Sequence, residues 1–150
     1  MRPLPPRDER GQTTVMIVGF AVVLMTAVGM VVNVSAAYLQ RQSLDSLADG
    51  AALMAADAGA EGSDVYDGGL DKSRLVLFEA AARRAVDDYL SSTGARAAYP
   101  GLTRTVHVDL DTRSVRVTVR APLDLPLRVP GGPATATIAA TGAAAVSPEG

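Results

Sequence analysis

The polarity pattern of the chain divides it into three stretches. From Val15 to Val32 almost every residue is apolar, interrupted only by Gly19, Thr26 and Gly29, and no charge occurs between Arg10 and Arg41. A helix over Val15–Val32 would be about 27 Å long, close to the ~30 Å hydrocarbon core of a bilayer. The helix of a soluble domain would normally carry a polar face at this length. The pattern therefore predicts a membrane-crossing helix, with a buried helix of a soluble protein as the alternative.

A helical pattern continues beyond this run. Leu44, Leu47, Ala51, Met54 and Ala58 recur at steps of three and four, the spacing of one helix face. Arg41, Asp45 and Asp49 fall four apart on a polar side. Gly50 weakens the helix by about 1 kcal/mol relative to Ala, and Gly59 and Gly62 are expected to end it. One helix of roughly 45 residues results, part in lipid and part outside it. Its outer face, Leu44, Leu47, Ala51, Met54 and Ala58, is the candidate packing or partner surface. Packing against the chain's own sheet and packing against a partner are both open, because a helix has several sides. Asn33, at the outer end of the span, reads as an interfacial residue or an interhelical hydrogen-bonder.

Residues 59–72 are rich in Gly and Asp and read as a loop. A second helix is expected over Ser73–Ser92, entered from Asp71 or Ser73. Its apolar stripe is Leu75, Phe78, Ala82, Ala85 and Tyr89. Glu79–Arg83, Arg83–Asp87 and Arg84–Asp88 are its four-apart charge pairs. Gly94 suits the C-terminal cap, and Pro100 prevents continuation. The period then switches to two. Val106, Val108 and Leu110 alternate with Thr105, His107 and Asp109, and Val115, Val117 and Val119 with Arg116, Thr118 and Arg120. Setting Leu110 opposite Val115 across a turn at Asp111–Ser114 gathers the valines on one face and pairs Asp109 with Arg116. Pro122, Pro126, Pro130 and Pro133 mark an extended connector, and Ala134–Val146 a third strand. The expected fold is α+β: a single long N-terminal helix, a second helix, and a small antiparallel sheet of three strands that the helices cover.

Charge sets the expected topology. Arg2, Arg7 and Arg10 precede the span, whereas Arg41 is the only positive charge after it until Lys72. Lys and Arg favour the cytoplasmic side. The expected layout is a disordered cytoplasmic tail at 1–11, a transmembrane helix at 12–36, its extramembrane continuation at 37–58, and a small α+β extracytoplasmic domain at 59–150. A signal peptide would use similar ingredients, with Ser35, Ala36 and Ala37 as small residues near a cut. The apolar run is longer than a usual signal core, and the helical pattern passes through Ala37 unbroken. Release as a secreted soluble binding module after Ala36 or Ala37 is the competing expectation.

Composition narrows the chemistry. The net charge of −2 and pI of about 5.3 present no basic surface for nucleic acid. The absence of cysteine removes disulfides, thiolate metal sites and cysteine nucleophiles. His107 is the single histidine, and no second histidine or acidic cluster completes a site around it. Asp45, Asp49 and Asp57 read as a solvated helix side. Asp64, Asp67 and Asp71 lack the alternating ligand pattern of a calcium loop. No phosphate-binding glycine motif, nucleophile elbow or zinc signature occurs. A non-enzymatic protein without cofactor or metal is expected, and a small envelope enzyme is the least supported class.

Residues 10–58 carry a resemblance. Arg10-Gly11-Gln12-Thr13-Thr14-Val15 is followed by the apolar span. Then come Asn33-Val34-Ser35-Ala36-Ala37-Tyr38-Leu39-Gln40-Arg41 and a tail containing Asp49 and Ala51-Ala52-Leu53. This order resembles the TadE/TadG-like proteins of tight-adherence (Flp) pilus-assembly systems, with Leu47 and Gly50 departing from the family's tail. The resemblance implies a pilin-like fold and a minor-pilin-like structural or assembly component of a pilus or related secretion machine. It implies a single pass through the cytoplasmic membrane, with other pilin-like or assembly proteins as partners and a homo-oligomer as a further possibility. A prepilin cut after Gly11 would place Met16 where the peptidase wants Glu. The Asp-x-Ser-x-Ser adhesion motif of larger members is lacking.

Overall fold

The computed structural model describes residues 10–63, 72–109, 111–123, 125–127 and 136–146. Helix α1 runs without a break from Arg10 to Ser63, 54 residues or about 81 Å. Helix α2 covers Lys72–Ser92, and a single turn, α3, covers Ala95–Ala98. Three strands follow: β1 Thr103–Asp109, β2 Ser114–Pro122 and β3 Thr137–Ala145. They form an antiparallel meander in the order β1-β2-β3. The α+β class expected from the periodicities is the observed one. The tail at 1–9, the acidic residues Asp64, Asp67 and Asp71, and Pro130 and Pro133 lie outside the described residues.

Alternation builds the sheet's inner face. Val115, Val117, Val119 and Ala121 of β2 are buried with Val106 of β1 and Ala140 of β3. Arg116 and Arg120 face out, and the hydroxyls of Thr118 and Thr141 meet across β2 and β3 at 3.0 Å. The first hairpin differs from expectation by a two-residue shift. Val108 lies opposite Val115, His107 opposite Arg116, and Asp109 opposite Ser114. Asp109 does not pair with Arg116 because the turn uses it. Its carboxylate accepts the backbone N–H of Asp111 at 3.0 Å and of Thr112 at 3.2 Å, and Arg113 takes a left-handed conformation to close the loop. These bonds, above all that from Thr112, hold the Asp109 carboxyl below its ordinary pKa. A shift of two keeps each side chain on its face, so the valine face survives.

The two helices cover that inner face, α1 against β2 and β3, and α2 beside α1 and next to β1. The buried stripe of α1 is made of Leu44, Ala48, Ala51, Ala52, Ala55 and Ala56. From α2 it meets Ala82, Val86 and Leu90, with Phe78 and Tyr89 packed alongside. The side chain of Leu75 is not among those described.

Glycine sets how closely the elements approach. A Cβ on Gly142 of β3 would lie 2.4 Å from the carbonyl carbon and oxygen of Ala48. The strand backbone therefore rests directly on the helix backbone. A Cβ on Gly50 would strike the Tyr89 ring, and one on Gly59 the Phe78 ring. Gly59 is consequently a packing residue, not a stop, and α1 continues past it to Ser63. Gly94, in the left-handed conformation, donates to the Ser91 carbonyl and ends α2 as expected.

Candidate interaction surface

The lower part of α1 is bare. Val15, Met16, Ile17, Phe20, Met25 and Val31 are each more than 60% exposed. None of the most apolar 18-residue window is buried inside the chain. Removing one such side chain from water is worth about 1.5–3 kcal/mol, so a dozen of them in water would be strongly unfavourable. Thr26, the polar residue inside the run, satisfies itself by donating to the Val22 carbonyl at 2.8 Å. By length and composition this helix can cross a membrane.

Above the run, polar side chains of α1 fasten the domain to the helix. Asn33 Nδ2 donates to the Leu127 carbonyl at 2.7 Å, and Asn33 Oδ1 accepts the Leu127 N–H at 3.1 Å. Gln40 donates to the Pro122 carbonyl at 2.7 Å. Tyr99 donates its hydroxyl to Ser43 at 2.7 Å. Both of these Asn33 amide bonds go to this chain's own connector. Beside these contacts lies an open cleft of about 390 Å³ between Ala36, Gln40, Tyr99, Pro122 and Leu123. Among the described residues that line it, the only titratable group is the Tyr99 hydroxyl.

The face chosen from sequence divides in the structure. Leu44 and Ala51 are fully buried against the chain's own domain, and Leu47 packs at the edge of the core. Ala58 is half-buried, and Met54 is 39% exposed. The centre of burial is rotated toward Ala48, Ala52, Ala55 and Ala56, which leaves Leu47, Met54 and Ala58 along its margin. Tyr38, Leu39 and Leu53 are exposed on the same helix outside the apolar run.

One cluster escaped the sequence reading. Asp87 of α2 accepts from Arg96 of α3 at 2.6 Å and from Arg104 of β1, whose Nε lies 2.9 Å away. The Arg104 guanidinium, more than any other group, holds the Asp87 carboxyl below its ordinary pKa. The expected Arg83–Asp87 pair gives way to this, whereas the expected Glu79–Arg83 pair forms. Arg41–Asp45 forms as a long pair at 3.9 Å. A four-apart rule finds only helix neighbours, and Arg96 and Arg104 come from elements folded back onto α2. His107 is exposed on the outer face of β1, across from Arg116. Among the described residues no three His, Cys, Asp or Glu gather as a metal would need.

Residues 11–58 match the family model described as putative Flp pilus-assembly TadE/G-like. The match spans the bare run, the Asn33 and Gln40 contacts and the buried Ala-rich stripe. No curated protein and no solved structure matches the chain.

Proposed function

We propose that this protein is a single-span membrane component of a Flp-type pilus or related secretion machine, a minor-pilin-like structural or assembly subunit without enzymatic activity. One observation carries the reading: a bare apolar run long enough to cross a bilayer continues, as one helix, into a packed α+β domain. The family match over residues 11–58 supports the pilus context. The positive charges Arg2, Arg7 and Arg10 favour the N-terminus inside and the domain outside.

In this reading α1 is a rigid stalk that fixes the domain's height above the membrane. Leu44 and Ala51 belong to the interior of the domain. Contacts to neighbouring subunits, whether copies of this chain or other pilin-like proteins, fall to Leu47, Met54 and Ala58 at the margin and to Leu39 and Leu53 beyond it.

The test is the mature N-terminus by mass spectrometry, combined with a phosphatase fused after Gly150. A chain beginning near Met1, retained by membranes in alkaline carbonate and active as a fusion, is the expected result. A chain beginning near Ala37 or Tyr38 and released to the medium would establish the secreted module instead. One beginning at Gln12 would show pilin-type processing.

A further inference from the structure

The connector that leaves β2 does not stay with the sheet. Its base is closed where the Leu123 N–H meets the Ala136 carbonyl at 2.8 Å. From there the chain runs down α1, from the level of Gln40 at Pro122 to the level of Asn33 at Leu127. Seven helical residues separate those levels, about 10 Å along the axis. Leu127 then lies over Gly29, where its Cδ1 is 3.7 Å from the position a Cβ would occupy. Gly29 belongs to the apolar run, one turn below its end. An irregular segment of the outer domain thus reaches the depth at which α1 is still wholly apolar.

Resting on the reading of α1 as a membrane span, we propose that Leu127, in the described part of this connector, makes a second membrane contact, seated in the acyl–headgroup boundary of the outer leaflet. Two features fit lipid as the occupant. Met30, Val31 and Val32, at the same level, are 58%, 65% and 41% exposed, and Leu127 is 44% exposed. Leu127 therefore shares the surroundings of the bare helix. The second feature is the backbone. Non-helical backbone at membrane depth is tolerated only where its N–H and C=O find partners. Asn33 supplies both to Leu127 from one side chain. The amide at the end of the apolar run thus makes the backbone of a leucine acceptable to an apolar medium. The domain is then held to the bilayer at two points, which resists tilting and rotation about the stalk.

The chain contains no tryptophan, so a single Trp reports its own position. Leu127→Trp, Phe20→Trp and Tyr99→Trp are each made in the full-length protein and reconstituted into phosphatidylcholine vesicles carrying bromine at shallow or deep acyl positions. The Leu127→Trp emission should be blue-shifted and lose most of its intensity to shallow bromine, and less to deep bromine. Phe20→Trp should be quenched by the deep label. Tyr99→Trp, whose partner Ser43 lies about 15 Å above Asn33, should be quenched by neither. Adding Asn33→Leu to Leu127→Trp should abolish most of the shallow quenching while the Phe20→Trp signal stays. A red, unquenched Leu127→Trp beside a quenched Phe20→Trp would overturn the second contact and leave the span intact. A blue-shifted but unquenched Leu127→Trp would place Leu127 against a second copy of the chain. Absence of quenching at Phe20→Trp would overturn the span and with it this inference.

Discussion

The two halves of α1 are both rich in apolar residues and meet opposite fates. Between Val15 and Val32 the side chains are mostly large, and the chain's own domain covers almost none of them. Between Leu44 and Gly59 the apolar residues are mostly Ala, and the inner side of the helix is fully buried. Hydrophobicity alone would have ranked the first half as the better core. Size decides otherwise. Small side chains let the Gly142 backbone touch the helix and let the rings of Tyr89 and Phe78 lie over Gly50 and Gly59. A smooth helix can be packed closely by backbone and rings, whereas a knobbly one suits a fluid medium that fits any shape.

The sharpest way to break this contrast is to add bulk to each half. Gly142→Val should prevent folding of the domain, because the clash is with the backbone of Ala48 and Asp49, which cannot swing aside. Its cost should reach or exceed the ~1–3 kcal/mol usual for overpacking. Gly19→Val, where nothing lies within 4 Å, should leave the domain's thermal midpoint in detergent unchanged. Similar losses in both variants would refute the contrast.

Removing bulk gives the next largest effect. Leu44→Ala should cost about 2–5 kcal/mol in urea unfolding of the detergent-solubilised protein, while Leu24→Ala, 49% exposed in the wild type, should stay within about 0.5 kcal/mol.

Gly50→Ala sets two effects against each other. It recovers up to about 1 kcal/mol of helix propensity but drives a methyl into the Tyr89 ring. A net loss is expected in the wild-type background and a net gain with Tyr89→Ala. The double-mutant cycle should show a coupling of about 0.5–3 kcal/mol. A coupling of zero would mean that the ring does not need the notch.

The smallest effect concerns Asp87, on the part of the domain farthest in character from the bare run. Its pKa is lower in the folded protein than the ordinary 3.8. The ionised form therefore stabilises the fold above the unfolded pKa, and this contribution is lost as pH falls through the folded value. Wild-type stability should drop on acidification below about pH 4. Asp87→Asn should be slightly less stable near neutrality and should show a shallower acid loss, read from unfolding midpoints across pH. Unaltered acid dependence would show that Arg96 and Arg104 do not hold Asp87 in solution.

Element type was largely legible because it is a local property. A three- and four-residue recurrence marked α1 and α2, a two-residue alternation marked β1 and β2, and Gly94 marked the end of α2. The third strand was weaker in composition, yet it forms because β2 offers it a ladder from Ser114 to Pro122. Partners across the fold were not legible. The two-residue hairpin shift follows from the Asp109 side chain capping its own turn. The Asp87–Arg96–Arg104 cluster needs three elements brought together. The Asn33–Leu127 pair joins residues 94 positions apart.

By itself, then, the sequence determined the length and charge-free character of the apolar run, the continuity of α1 beyond it, and the α+β order of elements. These depend on residues a few positions apart, where helix and strand geometry apply directly. Only the tertiary structure decided which side of the Ala-rich half turned inward, that Gly50 and Gly59 were seats for aromatic rings, and that the β2–β3 connector descends along α1 to Asn33. Those outcomes depend on how closely distant backbones approach. That distance is set by side-chain volume on both partners at once.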